Sequence, residues 1–233
     1  MSRTMFDLCG EDRRLRFSPF CWRTRLALAH KGLECDTRPW HFTDKEAIAF
    51  SNQPKVPVLV DEDEEVVTDS FEIMQWLDRK YAGPELLGSR MALARARFVK
   101  HWAETALAPA IMKVALLDVY ATIDPKDRDY FRHTREARLG TLLEAFQDSD
   151  AGLRQLDQAL TPLRAQLADR PFIDGDTPAG ADYLVFGMFM LPRVVRPEPL
   201  LETDDVVNAW HERLLDLFGG LARNAPRRLA RLP

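Results

Sequence analysis

The sequence predicts a mixed α/β fold over its first third and an all-helical fold over the remainder. Up to residue 81, short apolar segments of strand length alternate with amphipathic segments of helical period. Glycine and proline then punctuate residues 82–90, and no later segment has the pattern of a strand. We therefore expect two domains, at residues 1–81 and 91–233, joined by a linker, and a chain of 233 residues has room for both cores.

The first domain opens with a strand, a helix and a second strand. The pattern predicts these elements at Met5–Leu8, Pro19–Lys31 and Cys35–Arg38, with Gly32 ending the helix. Two strands joined by a helical crossover run parallel, so a small mixed sheet is expected. A polar stretch with a short helix near Lys45–Phe50 follows.

A hairpin and a helix complete the first domain. Val58–Val60 and Val66–Thr68 have the composition of strands, and the acidic turn at residues 61–65 separates them closely enough for a hairpin. The next helix is predicted at Ser70–Lys80. Its buried face consists of Phe71, Ile73, Met74 and Leu77.

The second domain is predicted to contain helices alone. These helices are expected at Met91–Leu117, Pro125–Phe146, Ala151–Ala168, Gly180–Met190 and Asp204–Phe218. Pro109 lies inside the first of them, where its missing N–H should bend or break the helix. Asp124 before Pro125 supplies an N-cap followed by proline at the first helical position.

The charge balance excludes a general affinity for polyanions. There are 36 acidic and 32 basic residues, and the formal net charge is −4, so no global field attracts nucleic acid or anionic lipid. The basic cluster from Arg223 to Arg231 is interpreted as a solvated tail. Neither nucleic acid nor a membrane surface is therefore expected as a partner.

No membrane helix or secretion signal is predicted. The apolar run Tyr183–Leu191 is about half of what a bilayer span requires, and Lys113 interrupts the other candidate, Ala106–Leu117. Residues 1–7 lack the apolar core of a secretion signal, which predicts a cytoplasmic protein. The three cysteines, Cys9, Cys21 and Cys35, form no disulfide framework, and no His or Cys has the spacing of a zinc site. No metal site is therefore expected.

Ser18 stands at the junction of the first loop and the first helix. A serine followed by Pro19 suits a helix N-terminus for backbone reasons alone. The same geometry places a hydroxyl where the helix dipole and free N–H groups favour an anion, and a thiolate there would be stabilised. The residues alone leave both interpretations open.

Four elements together resemble the glutathione transferase family, from about Met5 to Leu217. They are a Ser-Pro start to the first helix, a Val-Pro step before the third strand, an acidic-Ser pair at the third helix and a signature in the helical domain. These elements are Ser18-Pro19, Val56-Pro57, Asp69-Ser70 and residues 172–182. The resemblance implies a thioredoxin-like domain over residues 1–81, an all-helical domain over residues 91–233, and a homodimer.

The resemblance also implies a glutathione site. Pro57 would follow a cis peptide bond, and Val56 would present its backbone to the cysteinyl part of glutathione. Asp69 and Ser70 would bind the γ-glutamyl end, and Lys55 would reach the glycyl carboxylate. The structural alternatives are plain N-capping for Asp69 and Ser70 and a solvated loop charge for Lys55.

Two features depart from the family pattern. Ala179 occupies a position that normally carries a capping side chain, which costs about 1 kcal/mol, although Asp182 can still reach back to a backbone N–H. The loop at residues 9–17 is long and contains Arg13, Arg14 and Arg16. This loop and the helix after it look most like the bacterial β-etherase-like branch and its fungal etherase-related relatives.

The implied mechanism is attack by glutathione sulfur on a small hydrophobic electrophile, such as an aryl ether. A free thiol has a pKa of about 8.5, so Ser18 would donate its O–H to the sulfur and the helix N-terminus would add positive potential. The electrophile would lie between the domains, near Trp102, Met112 and Tyr120. Core packing is the alternative role of these three side chains.

Two other functions remain open. Cys21 lies three residues after Ser18, at the second position of a thioredoxin-like C-x-x-C pattern, which allows a thiol-disulfide oxidoreductase with Cys9 as partner. A non-catalytic member of the fold that binds apolar ligands or a protein partner is the third possibility.

Overall fold

The computed structural model describes residues 2–228, which form a small sheet domain followed by a bundle of helices. Strand β1 (Thr4–Leu8) leads through helix α1 (Pro19–His30) to strand β2 (Asp36–Trp40). The two strands pair in parallel along their whole length. A 3-10 helix at Lys45–Ser51 follows, and the chain then crosses to the other side of β1.

A hairpin and a helix complete the sheet domain. Strand β3 (Val58–Val60) pairs antiparallel with both β1 and strand β4 (Val66–Thr68), and the strand order is β2-β1-β3-β4. Helix α2 (Ser70–Lys80) begins directly after β4. The predicted bounds of the hairpin strands and of this helix agree with the structure.

The remaining described residues are helical apart from their connections. The helices are α3 (Arg90–Trp102), α4 (Ala108–Thr122), α5 (Arg128–Leu139), α6 (Leu143–Phe146), α7 (Ser149–Asp169), α8 (Gly180–Val195) and α9 (Val206–Leu215). A last turn lies at Leu217–Gly220. The predicted fold class, a thioredoxin-like domain followed by an all-helical domain, is confirmed.

Two helices differ from the prediction. The helix predicted at Met91–Leu117 is interrupted by a π-helical turn at Ala103–Leu107, and Pro109 lies in the first turn of α4, where the wider turn accommodates its missing N–H. The helix predicted at Pro125–Phe146 is divided, because Gly140 adopts a left-handed conformation with φ 70° and ends α5.

The basic segment near the end is not a solvated tail over its described part. Arg223 forms ion pairs with Glu212 at 2.7 Å and with Asp216 at 2.7 Å, and the backbone N–H of Arg228 donates to the Val194 carbonyl. Arg231 lies outside the described residues. The segment therefore packs on α8 and α9, which a local reading of charge could not reveal.

The α3 to α4 segment is the longest helical stretch. Over the 33 residues Arg90–Thr122 it is long and apolar enough to cross a bilayer by length and composition, and 44% of its most apolar window is buried inside the protein. The segment packs against α7 and α8. A core helix of a bundle meets the same criteria.

The two domains meet where α1 packs against α8. Arg23 is fully buried on α1, and its guanidinium donates to the Leu184 carbonyl at 3.0 Å and to Glu104 at 2.7 Å. Gly187 allows the two helices to touch, because a Cβ at this position would lie 2.5 Å from the carbonyl oxygen of Pro19. The first turn of α1 is therefore held directly by the helical domain.

A second contact fixes the loop after β2. Asp127, fully buried before α5, accepts hydrogen bonds from the backbone N–H groups of Phe42 at 2.8 Å and Thr43 at 3.0 Å and from the Thr43 hydroxyl at 2.6 Å. His41 contacts Asp44 at 3.0 Å through Nδ1. The N-terminal end of α5 is thereby attached to the sheet domain.

Replacement of Gly187 by alanine tests the contact between α1 and α8. Replacement of a glycine inside a helix by alanine normally stabilises the folded protein by about 0.5–1 kcal/mol. Here we expect the opposite, a loss of about 1–3 kcal/mol, because the new methyl group would overlap Pro19 and the Arg23 side chain. Urea unfolding measures the free energy of unfolding, and an increase in stability would contradict the close packing.

Candidate functional site

Ser18 is the N-cap residue of α1. Its backbone is extended, Pro19 occupies the first helical position, and Oγ accepts a hydrogen bond from the backbone N–H of Cys21 at 3.3 Å. This bond uses a lone pair of the oxygen, so the hydroxyl proton remains available to an acceptor. The residue is 3% exposed. A ligand atom in contact with this hydroxyl would therefore be largely shielded from water.

The loop that leads to Ser18 is docked on the helical domain. The backbone N–H of Glu11 donates to the Thr122 carbonyl at 2.9 Å, and a Cβ at Gly10 would lie 2.7 Å from the same oxygen. Arg14 pairs with Asp12 at 2.8 Å. The long loop predicted from the sequence thus lies against the end of α4.

The cysteines are poor nucleophiles in this structure. Cys21 is fully buried, and burial together with the negative charge of Asp7 raises the pKa of its thiol well above the ordinary value, although the Ser18 hydroxyl opposes the shift. Burial raises the pKa of Cys9 to about 11 and that of Cys35 to about 12. All three thiols are protonated at neutral pH, and a thiol reacts as its thiolate.

Asp7 lies in the interior beside Cys21. It is fully buried on β1, neither carboxylate oxygen has a hydrogen-bond partner, and the guanidinium groups of Arg25 and Arg16 stay 3.7 Å and 3.8 Å away. Burial raises the pKa of this carboxyl, and the two arginines only partly oppose the shift. Sequence analysis missed this residue, since nothing local marks a strand carboxylate as buried.

The register of the strands brings the residues that are predicted to bind glutathione to one edge of the sheet. Phe6 of β1 lies opposite Val58 of β3, and Val58 lies opposite Thr68 of β4. The end of β1, the start of β3 and the end of β4 therefore lie side by side. The segment before β3 and the start of α2 meet there, next to the strand that leads to Ser18.

The segment before β3 has the geometry that the family resemblance implies. The Val56–Pro57 peptide bond is cis, Pro57 is buried and Val56 is partly exposed. Lys55 is exposed and forms no ion pair with another described residue. The roles of these three residues in binding glutathione stay predictions.

Asp69 caps α2, whereas the Ser70 hydroxyl does not take part in capping. Asp69 is the N-cap of α2, and its Oδ1 accepts from the backbone N–H groups of Phe71 at 2.8 Å and Glu72 at 3.1 Å. Ser70 is 2% exposed, and its Oγ has no hydrogen-bond partner. A buried hydroxyl without a hydrogen-bond partner costs free energy unless a ligand supplies that partner. Ser70 is therefore the side chain of this pair that is free to bind a ligand.

The proposed lining residues are half-buried against the core. Trp102, Met112 and Tyr120 all pack on the hydrophobic cluster, as in the packing alternative. Tyr120 also belongs to an aromatic cluster that sequence analysis missed. In this cluster the ring centroids of Phe17 and Phe42 are 6.5 Å apart, those of Phe42 and Phe131 5.5 Å, and those of Tyr120 and Phe131 6.2 Å. Its rings come from four separate segments, so no local signal could have shown it.

Two cavities are lined by residues other than those predicted to bind glutathione. One of about 140 Å³ lies between α8, α9 and residues 223–227. A shallower one of about 420 Å³ lies between the loop at residues 9–17 and the end of α4, with Leu15 and Thr122 in its wall. Within residues 2–228, no group of three or more His, Cys, Asp or Glu side chains is arranged to hold a metal ion.

The fold and the site define a class of protein. A mixed sheet with strand order β2-β1-β3-β4, two helix N-termini and a cis-proline at one edge, and a helical bundle behind them form a thioredoxin-like domain joined to a helical domain. Residues 17–80 match the family model described as "Glutathione S-transferase, N-terminal domain", and residues 92–222 match "Glutathione S-transferase, C-terminal domain". The chain belongs to the glutathione S-transferase family.

Individual relatives are distant. Glutathione S-transferase 2 of Saccharomyces cerevisiae is 27% identical over 206 residues, which cover 84% of this chain and 81% of the relative. Glutaredoxin 2 of Escherichia coli is 24% identical over 161 residues, covering 68% and 74%. A glutathione S-transferase of Ceriporiopsis subvermispora, solved in complex with glutathione, aligns with a TM-score of 0.82 at 21% identity, covering 94% and 96%. This last similarity shows the fold alone.

Replacement of Asp7 by asparagine tests the buried carboxyl through the pH dependence of stability. A carboxyl whose pKa is raised on folding binds its proton more tightly in the folded state, so stability is greatest below the unfolded pKa of about 4 and falls as the pH rises above it. We expect Asp7→Asn to remove this loss of stability between acid and neutral pH. Urea unfolding at a series of pH values, wild type beside variant, measures it.

Parallel pH profiles of the two proteins would contradict a raised pKa at Asp7. Asp36→Asn serves as the matched control, because Asp36 lies on the neighbouring strand and is exposed. Its profile should follow that of the wild type.

Proposed function

We propose that the protein is a glutathione transferase in which Ser18 stabilises the glutathione thiolate for attack on a small hydrophobic electrophile. The observation that carries the proposal is the convergence of two serines at one sheet edge. Ser18 has a hydroxyl proton available for donation, and Ser70 has a buried Oγ with no partner. Both serines lie at helix N-termini, where N–H groups and the helix dipole favour an anion.

The tripeptide would occupy the edge from α2 to α1. The γ-glutamyl carboxylate would bind to Ser70 and the first turn of α2, beside Asp69. The backbone of Val56, the residue before Pro57, would pair with the backbone of the cysteinyl part of glutathione. Lys55 would neutralise the glycyl carboxylate. This order places the sulfur at Ser18, because the cysteine lies between the two carboxylate ends of glutathione.

The chemical step is a displacement or addition by sulfur. Ser18 donates its proton to the sulfur in a hydrogen bond and does not form a covalent intermediate. Because a hydrogen bond to the charged form lowers the pKa of a thiol, the bound sulfur is ionised at neutral pH. It forms a bond to an electrophilic carbon, and the leaving group departs with the electron pair. Holding both reactants together supplies much of the rate gain.

A hydrophobic electrophile suits the aromatic surroundings of Ser18. Phe17 precedes Ser18 directly, and its ring belongs to the cluster with Phe42, Phe131 and Tyr120. Aryl ethers are one class that such rings accommodate, in keeping with the predicted etherase-like branch. Aryl halides and epoxides are others.

The redox alternative is less favoured. The similarity to Glutaredoxin 2 and the position of Cys21 both suggest it. Yet Cys21 is fully buried, and burial and Asp7 raise the pKa of its thiol, so it lacks the accessible thiolate that disulfide exchange needs. A non-catalytic binding module would have no use for an unpaired hydroxyl at Ser70.

Ser18→Ala should separate rate from affinity. We expect kcat/KM for glutathione-dependent conjugation to fall about 10–100-fold, because a hydrogen bond to a charged group is worth about 1.5–3 kcal/mol. Glutathione affinity should change little, since the other contacts with the tripeptide remain. Steady-state kinetics and calorimetric titration measure the two quantities, and the ultraviolet absorbance of the thiolate reports its pKa.

Cys21→Ser is the matched control, because it removes a thiol one helical turn away and keeps a small polar side chain. Conjugation should survive in this variant. If Cys21→Ser abolished activity and Ser18→Ala did not, the redox mechanism would replace the proposed one.

We also propose that the protein forms a homodimer through α3. Met91 is 84% exposed and Phe98 is 74% exposed, and their spacing of seven residues places them on one face of the helix. Two large apolar side chains on one helix face are typical of an interface.

The double variant Met91→Lys and Phe98→Lys should be monomeric. The variant adds four positive charges across a symmetric interface, and these charges would repel each other. The dimer would also lose about 1.5–3 kcal/mol of stability for each apolar side chain that is no longer buried. Sedimentation equilibrium measures the mass. Leu142→Lys, at an exposed apolar residue between α5 and α6, is the control and should stay dimeric. A monomeric wild type would refute the dimer.

A further inference from the structure

Two arginines on α5 have no acidic partner among residues 2–228. Arg128 and Arg135 are seven residues apart, which places them on the same face of the helix about 10 Å apart along its axis. Neither forms an ion pair with another described residue, and Arg128 Nε is buried without a hydrogen-bond partner. Arg132 between them differs, because it pairs with Glu136 at 2.8 Å and Glu144 at 2.7 Å.

Arg135 lies flat on the aromatic cluster. Its guanidinium carbon is 4.9 Å from the ring centroid of Phe42 and 4.4 Å from that of Phe131. Its Nη1 donates a hydrogen bond to the Thr134 hydroxyl at 2.9 Å. Burial, and then the neighbouring Arg138, lower the pKa of Arg135, and the environment supplies no carboxylate to restore it. The charge is therefore held partly out of water without compensation, which is costly for a purely structural residue.

These arginines lie on the side of α5 that faces the sheet domain. Asp127, the residue before α5, binds the backbone of Phe42 and Thr43, and this contact fixes the start of the helix on the loop after β2. The Phe42 ring under Arg135 is also in contact with Phe17, which precedes Ser18. One continuous set of rings thus connects the hydroxyl at α1 with the unpaired guanidinium.

We infer that Arg128 and Arg135 form an anion subsite for the electrophile, so that the protein acts on aromatic electrophiles that carry a carboxylate. The inference rests on the proposed transferase function. A planar guanidinium binds a carboxylate with two parallel hydrogen bonds, and an aromatic body would pack against the rings beneath Arg135. The carboxylate is held at α5, and the electrophilic carbon points toward the sulfur at Ser18.

Chlorodinitrobenzoate is a suitable probe, because its reaction needs no reactant other than glutathione. In chlorodinitrobenzoate, the thiolate sulfur forms a bond to the ring carbon that bears chlorine, and the carbon–chlorine bond breaks. Chloride leaves with the electron pair, and no oxidant or reductant is needed. The carboxylate is unchanged, so the methyl ester of the same compound is a neutral electrophile of similar shape, and the uncatalysed rate with glutathione corrects for its higher intrinsic reactivity.

Arg135→Gln and Arg128→Gln should discriminate between these two probes. We expect kcat/KM for chlorodinitrobenzoate to fall about 10–100-fold in each variant, as for the loss of a hydrogen bond between charged groups. For the methyl ester the change should stay within about threefold. Arg135→Lys should recover part of the loss, because it restores the charge without the planar fork.

Arg138→Gln is the matched control, because Arg138 is exposed in the last turn of the same helix. It should leave both probes unaffected. Equal losses with acid and ester in Arg135→Gln would show a structural role and overturn the subsite. So would a wild type that shows no preference for the acid once each rate is divided by the uncatalysed rate with glutathione.

Failure of the transferase proposal gives a different result. In that case, wild-type protein with glutathione turns over neither probe. Calorimetric titration with nitrobenzoate then tests the subsite without any reaction: binding by the wild type and Arg138→Gln, with loss in Arg135→Gln, supports it. Equal binding by all three proteins, or binding by none, overturns it.

Discussion

The contact between α1 and α8 sets the position of the proposed catalytic hydroxyl. Ser18 caps a helix whose next residue, Pro19, lies against Gly187, and Arg23 one turn later is buried between the domains. Glu104 and the Leu184 carbonyl accept two hydrogen bonds from the buried Arg23, whereas its Nη2 has no hydrogen-bond partner among residues 2–228. The first turn of α1 therefore cannot move without breaking a buried ion pair. A hydroxyl held in this way needs no reorganisation when a sulfur arrives.

The same rigidity explains how the protein separates its own thiol from a bound one. Cys21 and the Ser18 hydroxyl are neighbours, yet the buried carboxyl of Asp7 lies on the inner side of Cys21 and disfavours its thiolate. A glutathione sulfur would approach from the outer side, at the N-terminus of α1, where partial positive charge favours the anion. In the proposed complex, the two sulfur atoms would therefore experience opposite fields, and only the outer one would be ionised at neutral pH.

Much of the sheet domain could be predicted, because its signals are local. β3, β4 and α2 have the residues expected from alternating pattern and N-capping, and Ser18 has the expected N-cap geometry. The helical domain was harder to predict from the sequence. Gly140 divides one predicted helix because its backbone is left-handed, and this conformation is seen only in the structure. The site residues that were missed, Asp7 and Phe42 among them, derive their properties from distant segments. Burial and contacts between distant segments are set by tertiary packing, which one sequence does not display.

The site is assembled from parts that are attached independently. Asp127 fixes α5 to the loop after β2, whereas Arg23 and Gly187 fix α1 to α8, and the two attachments share no residue. In the proposed site, changes on the exposed length of α5 would therefore alter what is bound beside the sulfur without disturbing Ser18. Thiolate stabilisation would depend on the N-terminus of α1, which is packed against α8. Selection of the electrophile would depend on side chains that lie over the aromatic cluster, Arg135 among them.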